Sequence, residues 1–330
     1  MPPKTPPSGE FALIARHFAP LSEGVAGAYG LTDDAAWIRA EPGLDWVVKT
    51  DAIVAGVHFL PDDPPDLVAR KALRVNLSDL AAKGAQPRFY LLDAVLPKEI
   101  DETWIAAFAS GLAADQREFG VKLIGGDTTS TPGALTLAVM ALGQVATGRM
   151  LRRGTAQDGD DVYVSGTLGD AALGLLVLRG GLQRLGAMAH EELVGRYRLP
   201  QPRTRLGPAL LGLASASMDV SDGLVADLGH ICETSGLGAV IDEPSVPMSP
   251  AARAALHEHP ALISAILGGG DDYEILFTAA PDSREKIAAL SRKLELPLTR
   301  IGAMRAGSGV KVLRADGSER TLDSAGWQHF

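Results

Sequence analysis

With 330 residues, the chain exceeds the size at which one hydrophobic core usually stops growing, so two domains are expected. Apolar residues make up 46% and charged residues 22%, which excludes a disordered chain. A formal charge of -9 excludes a basic grip on nucleic acid, and the single cysteine, Cys232, excludes an internal disulfide, a cysteine zinc cluster and a two-thiol redox pair.

The opening MPPKTPPSGE lacks the apolar core of a signal peptide, and the longest apolar run, 134–143, is too short to cross a bilayer. A cytoplasmic protein with no membrane partner is expected. Residues 10–18 predict a short helix with Phe11, Ile14 and Phe18 on one side. Segments 36–38 and 46–48 read as strands, followed by a helix from about Asp66 that Gly84 ends, then a strand over 89–96. Asp101 predicts the N-cap of a helix running to Phe119, after which 121–124 is a strand breaking at Gly125-Gly126 and 135–145 another. The stretch 147–160, rich in glycine and charge, has no clear periodicity and marks a domain boundary between 148 and 149. Beyond it, a strand at 162–164 turns through 165–170 into a helix ending at Gly180-Gly181. Helices over 223–233, 250–257 and 283–294 and strands over 238–241, 275–278, 300–303 and 310–313 complete a second α/β domain.

No G-x-x-x-x-G-K-[ST] and no G-x-G-x-x-G occurs, so the common glycine cradles for nucleotides are absent. Aspartates stand instead at strand ends and turn starts: Asp33-Asp34, Thr50-Asp51, Gly126-Asp127, and Asp219 to Asp222 around Ser221. Each has two readings. Asp34 or Asp51 caps a turn, Asp222 caps a helix and Asp127 follows a bend, or they are ligands. Asp79 lies with Asn76 and Lys83 beside the stripe Leu73, Leu77, Leu80, where it either serves a site or forms an i,i+4 pair with Lys83. Converging carboxylates would repel one another and any nucleotide phosphate unless Mg²⁺ stood between them.

Six segments carry a family resemblance: TDAIVAGVHF at 50–59, KALRVNLSDLAAKGAQP at 71–87, GGDTT at 125–129, VSGTLGDAALGL at 164–175, MDVSDGLVADLGHI at 218–231 and GGDDYEILF at 269–277. In this order, from about residue 10 to 330, the chain resembles the thiamine-monophosphate kinases. The resemblance implies a two-domain PurM-like α/β (α+β) fold: an N-terminal sheet domain over 1–148 that dimerises and binds ATP and Mg²⁺, and a C-terminal α/β domain over 149–330. It implies a homodimer that phosphorylates thiamine monophosphate with ATP and several Mg²⁺. Asp34, Thr50, Asp51, Asp79, Asp127, Asp219 and Asp222 match the metal ligands, and Gly126, Asp127, Arg153 and Ser221 match ATP contacts. His58, Asp271 and Trp327 match the substrate contacts. The acceptor is then a phosphate monoester, already largely deprotonated near neutral pH, so no side chain is expected as general base.

Three positions depart from the resemblance. Thr32 replaces a glycine before the Asp-Asp pair, Lys49 replaces a serine or threonine, and Asp271 replaces a glutamate. The alternatives are a superfamily enzyme with another phosphoryl acceptor, and a catalytically impaired binder of nucleotide or thiamine phosphates with Lys49 and Asp271 as its lesions.

Overall fold

The computed structural model describes residues 10–321 and Gly326, so Trp327 lies outside the described residues. The chain divides into two compact units: residues up to Leu80 with Gln86–Gly148, and Ala81–Ala85 with the chain from Arg149 onward.

The first unit opens on α1 (Glu10–Leu13), which widens into a π turn at Ile14–Phe18 and is followed by tighter 3-10 turns at Ala19–Ser22 and Ala26–Leu31. Phe18 is buried whereas Phe11 is exposed, so the expected apolar side of this segment is only partly used. The elements that follow are β1 (Leu44–Val54), α2 (Pro65–Ala82), β2 (Gln86–Pro97), α3 (Glu102–Phe119), β3 (Lys122–Thr131) and β4 (Thr136–Ala146). They form a sheet in the order β1-β4-β2-β3, antiparallel except for the β2–β3 pair.

Residues 36–38 are not a strand, and the single strand β1 extends instead through Asp51. Gly125-Gly126 does not break β3 either, because the β2–β3 ladder continues past both glycines after a register shift. Asp101 caps α3 as expected, accepting the Trp104 N–H at 2.8 Å, and Gly120 ends it at φ 69. Helices α2 and α3 are locked by a buried ion network in which Asp115 accepts from Arg70 at 2.7 Å and from Arg74 at 2.8 Å.

The second unit contains β5 (Asp161–Ser165), α4 (Asp170–Leu178), α5 (Ala187–Arg198), α6 (Leu206–Ala209), β6 (Ala216–Asp219), α7 (Leu224–Ser235) and β7 (Gly238–Asp242). It continues with α8 (Pro250–Glu258), α9 (Ile263–Gly268), β8 (Ile275–Ala279), α10 (Arg284–Leu294), β9 (Leu298–Arg305) and β10 (Gly309–Leu313). Its sheet runs β10-β7-β9-β5-β8-β6. The main core packs Val162, Val164 and Leu276 of the sheet against Leu224, Leu228 and Ile231 of α7, all buried. No helix among the described residues is long and apolar enough to cross a membrane.

Candidate functional site

In the first unit, Asp33 and Asp34 line a cleft of about 840 Å³ together with Thr32, Asp93, Gly126 and Asp127. Asp93 and Asp127 face each other in the β2–β3 register. Gly126 has φ 143, and a Cβ there would stand 1.9 Å from the Leu92 carbonyl oxygen, so only glycine allows this approach of β3 to β2. The donor set is hard carboxylate oxygen, which suits Mg²⁺.

A second acidic pair lies on the helix-covered face of the same sheet. Lys49 and Asp51 are two residues apart on β1 and so point the same way. The Lys49 ammonium stands 3.1 Å from Asp51 Oδ1 and 3.0 Å from Asp79 Oδ2 of α2. Burial raises the Asp51 carboxyl above the usual carboxylate range, Lys49 opposes this and Asp79 adds to it. For Lys49, burial acts to lower the pKa, but Asp79 and Asp51 outweigh it and hold the ammonium above its ordinary value. On the same helix, Asn76 Oδ1 is buried and accepts no hydrogen bond among the described residues. Thr50 is exposed on the opposite face of β1. The strands β1 and β3 are separated by β4 and β2, about 14 Å at roughly 4.8 Å per strand. Within one chain Asp51 and Asp79 therefore stand apart from Asp127 rather than converging with it.

His58 is held by the turn after β1, its Nδ1 accepting the Val54 N–H at 3.0 Å.

The second unit brings Asp219, Ser221, Asp222 and Asp271 together by stitching two loops. The Asp271 N–H donates to the Ser221 carbonyl at 2.8 Å, the Tyr273 N–H to Val220 at 2.8 Å, and the Val220 N–H to Glu274 at 2.9 Å. Gly270 permits this contact, since a Cβ there would lie 2.2 Å from the Ser221 oxygen. Asp271 is held at φ 64, a left-handed conformation uncommon outside glycine, and accepts from the Tyr273 hydroxyl at 2.9 Å. The other two acids of this segment are structural. Asp272 is buried and takes the Gly169 N–H, and Glu274 is fully buried against Arg196, Arg203 and Ser165. Arg153 is exposed in the loop before β5, its carbonyl accepting from Ser235.

Two acidic residues that the motifs did not single out belong to these sites. Asp93 stands out only as a lone charge in the apolar run LLDAVLP. Asp227, inside α7, places Oδ2 within 2.9 to 3.1 Å of the backbone nitrogens of Ser221, Asp222 and Gly223. Burial, with the nearby Asp222 charge adding, pushes Asp227 up to about 7 against those three hydrogen bonds. Asp222, Asp227 and His230 can each bring a ligand atom within 4.8 Å of the others.

Residues 32–145 match the N-terminal domain of the AIR synthase related proteins and residues 157–314 their C-terminal domain. The chain is 43% identical to the thiamine-monophosphate kinase of Salmonella typhimurium, over 98% of each chain. Its fold is similar to the crystal structure of thiamine-monophosphate kinase from Stenotrophomonas maltophilia, with 45% identity, a TM-score of 0.80, and 88% of this chain and 91% of that one covered. It is also similar to AaThiL solved as a complex with AMPPCP and TMP, at 30% identity and a TM-score of 0.76, covering 98% and 97% of the two chains. The chain thus belongs to the thiamine-monophosphate kinase family, phosphotransferases of the AIR synthase related fold.

Proposed function

We propose that this chain transfers the γ-phosphoryl group of ATP to thiamine monophosphate, giving thiamine diphosphate and ADP. Full-length identity to thiamine-monophosphate kinases supports the reaction, and likeness to a relative holding an ATP analogue and TMP supports the substrates. The observation that carries the reading is the cleft in which Asp34 and Asp127, far apart in sequence, lie together beside the tight backbone at Gly126.

Asp34 and Asp127, with Asp33 and Asp93 beside them, fit Mg²⁺; Asp219 and Asp222 of the second unit offer the same oxygen chemistry. Bound Mg²⁺ would neutralise phosphate charge and orient the γ-phosphoryl group for in-line attack. Gly126 keeps β3 tight against β2 where Asp127 lines the cleft, and Arg153 and Ser221 supply nucleotide contacts. His58 orients the acceptor phosphate without removing a proton, because the second pKa of a phosphate monoester is roughly 6. Asp271, fixed by Tyr273, and Trp327 complete the substrate contacts.

We place the protein in the cytoplasm as a homodimer. Where β1 and β4 pair, the sheet face opposite α2 exposes Val48 and Met140, 58% and 42%, and the same patch of a second copy would cover them. The function is tested by following ADP release with ATP and Mg²⁺, with and without thiamine monophosphate. Release that depends on the acceptor is expected, and well-folded protein that binds both ligands without releasing ADP would show an impaired binder instead.

A further inference from the structure

Asp51 and Asp79 lie in the segments assigned to Mg²⁺, yet a cation of the chain's own already stands between them. The Lys49 ammonium is 3.1 Å from one carboxylate and 3.0 Å from the other, so both oxygens it faces are engaged. An Mg²⁺ bound to both acids would need oxygens at about 2.1 Å in near-octahedral geometry. It would meet the ammonium in the same gap, where two cations repel in a half-buried setting.

We propose that Lys49 is a built-in cation that occupies the Asp51–Asp79 position, so that this chain binds one divalent ion fewer there than its carboxylates could hold. The inference rests on reading Asp51 and Asp79 as members of the metal-binding set. The lysine supplies a single fixed charge that holds the two acids together at any Mg²⁺ concentration. The remaining divalent ions are left to the cleft of Asp34 and Asp127 and to the Asp219–Asp222 loop. Asn76, buried with an unsatisfied Oδ1 a turn before Asp79 on α2, would offer an oxygen near an ion admitted in the lysine's absence.

The test counts Mn²⁺ bound per chain, by electron paramagnetic resonance of the free ion and without nucleotide. The wild type is compared with Lys49→Thr, Lys49→Gln and Lys49→Arg, each checked by thermal melting. A neutral variant that melts as a folded protein is expected to bind about one more Mn²⁺ per chain, and Lys49→Arg to keep the wild-type number. Adding Asp79→Asn to Lys49→Thr should abolish the gain. If neither neutral variant gains an ion, or if the gain survives loss of Asp79, the proposal is overturned. Thiamine diphosphate formation without any gain would defeat this inference alone, whereas a gain in a protein that makes no thiamine diphosphate would defeat the proposed function alone.

Discussion

Asp227 Oδ2 lies 3.0 Å from the backbone nitrogen of Asp222, and the same oxygen accepts the N–H groups of Ser221 and Gly223. One buried carboxylate in α7 thus sets the path of the loop that carries two proposed ligand residues. Asp227→Ala would leave three N–H groups without this acceptor, a loss of about 1–3 kcal/mol in stability. It should raise KM for ATP by about 10-fold or more. Asp227→Asn keeps a carbonyl oxygen in place and should recover most of that affinity. Equal KM values for the two variants would contradict the positioning role.

Asp51→Asn and Asp79→Asn each leave Lys49 with one carboxylate on a half-exposed site, where ion pairs are worth roughly 0–1 kcal/mol. Melting temperatures should therefore shift by a few degrees at most, while turnover falls about 100-fold because the fixed Lys49 charge loses its position. Near-normal turnover at saturating Mg²⁺ would mark both residues as structural.

Local chemistry was the legible part of this fold. The Asp101 cap and the left-handed glycines Gly84 and Gly120 follow from short-range rules, and the helices they bound lie where the pattern predicts. The glycine pair in β3 misled because ladder pairing with β2 carries the strand through a kink that looks like a terminus in sequence. Helix α5 has no clear signature in sequence, because AMAHEELVGRYR buries only Leu193 and Tyr197, too little for a stripe. Strand β6 has none either, because four residues, ASMD, make no pattern. In the site, single aspartates were visible but their groupings were not. The Lys49 bridge depends on a contact between β1 and α2, which no spacing rule encodes, and the Asp227 pin folds back from inside α7 onto the loop just before it, outside the usual N-cap position.

Asp272 should impose a pH dependence on stability. Burial holds its carboxyl well above the carboxylate range, against the Gly169 N–H and Arg196, whereas in the unfolded chain it titrates near its ordinary value of about 3.9. The folded state therefore binds the proton more tightly. Its stabilising contribution is full below about pH 3.9 and is lost as pH rises through the folded pKa. Melting of the wild type against Asp272→Asn from about pH 4 to 8 should show the Asn variant gaining relative to the wild type as pH rises. A difference that moves the other way would refute this assignment.

Gly126→Ala should damage both fold and function. The added methyl would stand 1.9 Å from the Leu92 oxygen at a φ of 143, so β3 must move away from β2. A loss of about 2 kcal/mol or more is expected in denaturant unfolding, with ATP affinity falling as well. An alanine variant with wild-type unfolding would show that β3 has slack that the geometry denies.

The most direct measurement is ³¹P NMR of a complete reaction containing ATP, Mg²⁺ and thiamine monophosphate, run beside a trial with γ-³²P-labelled ATP. Thiamine diphosphate and ADP should appear in equal amounts with no label left on the protein. Release of inorganic phosphate without thiamine diphosphate, or a labelled chain trapped during turnover, would contradict direct transfer to thiamine monophosphate.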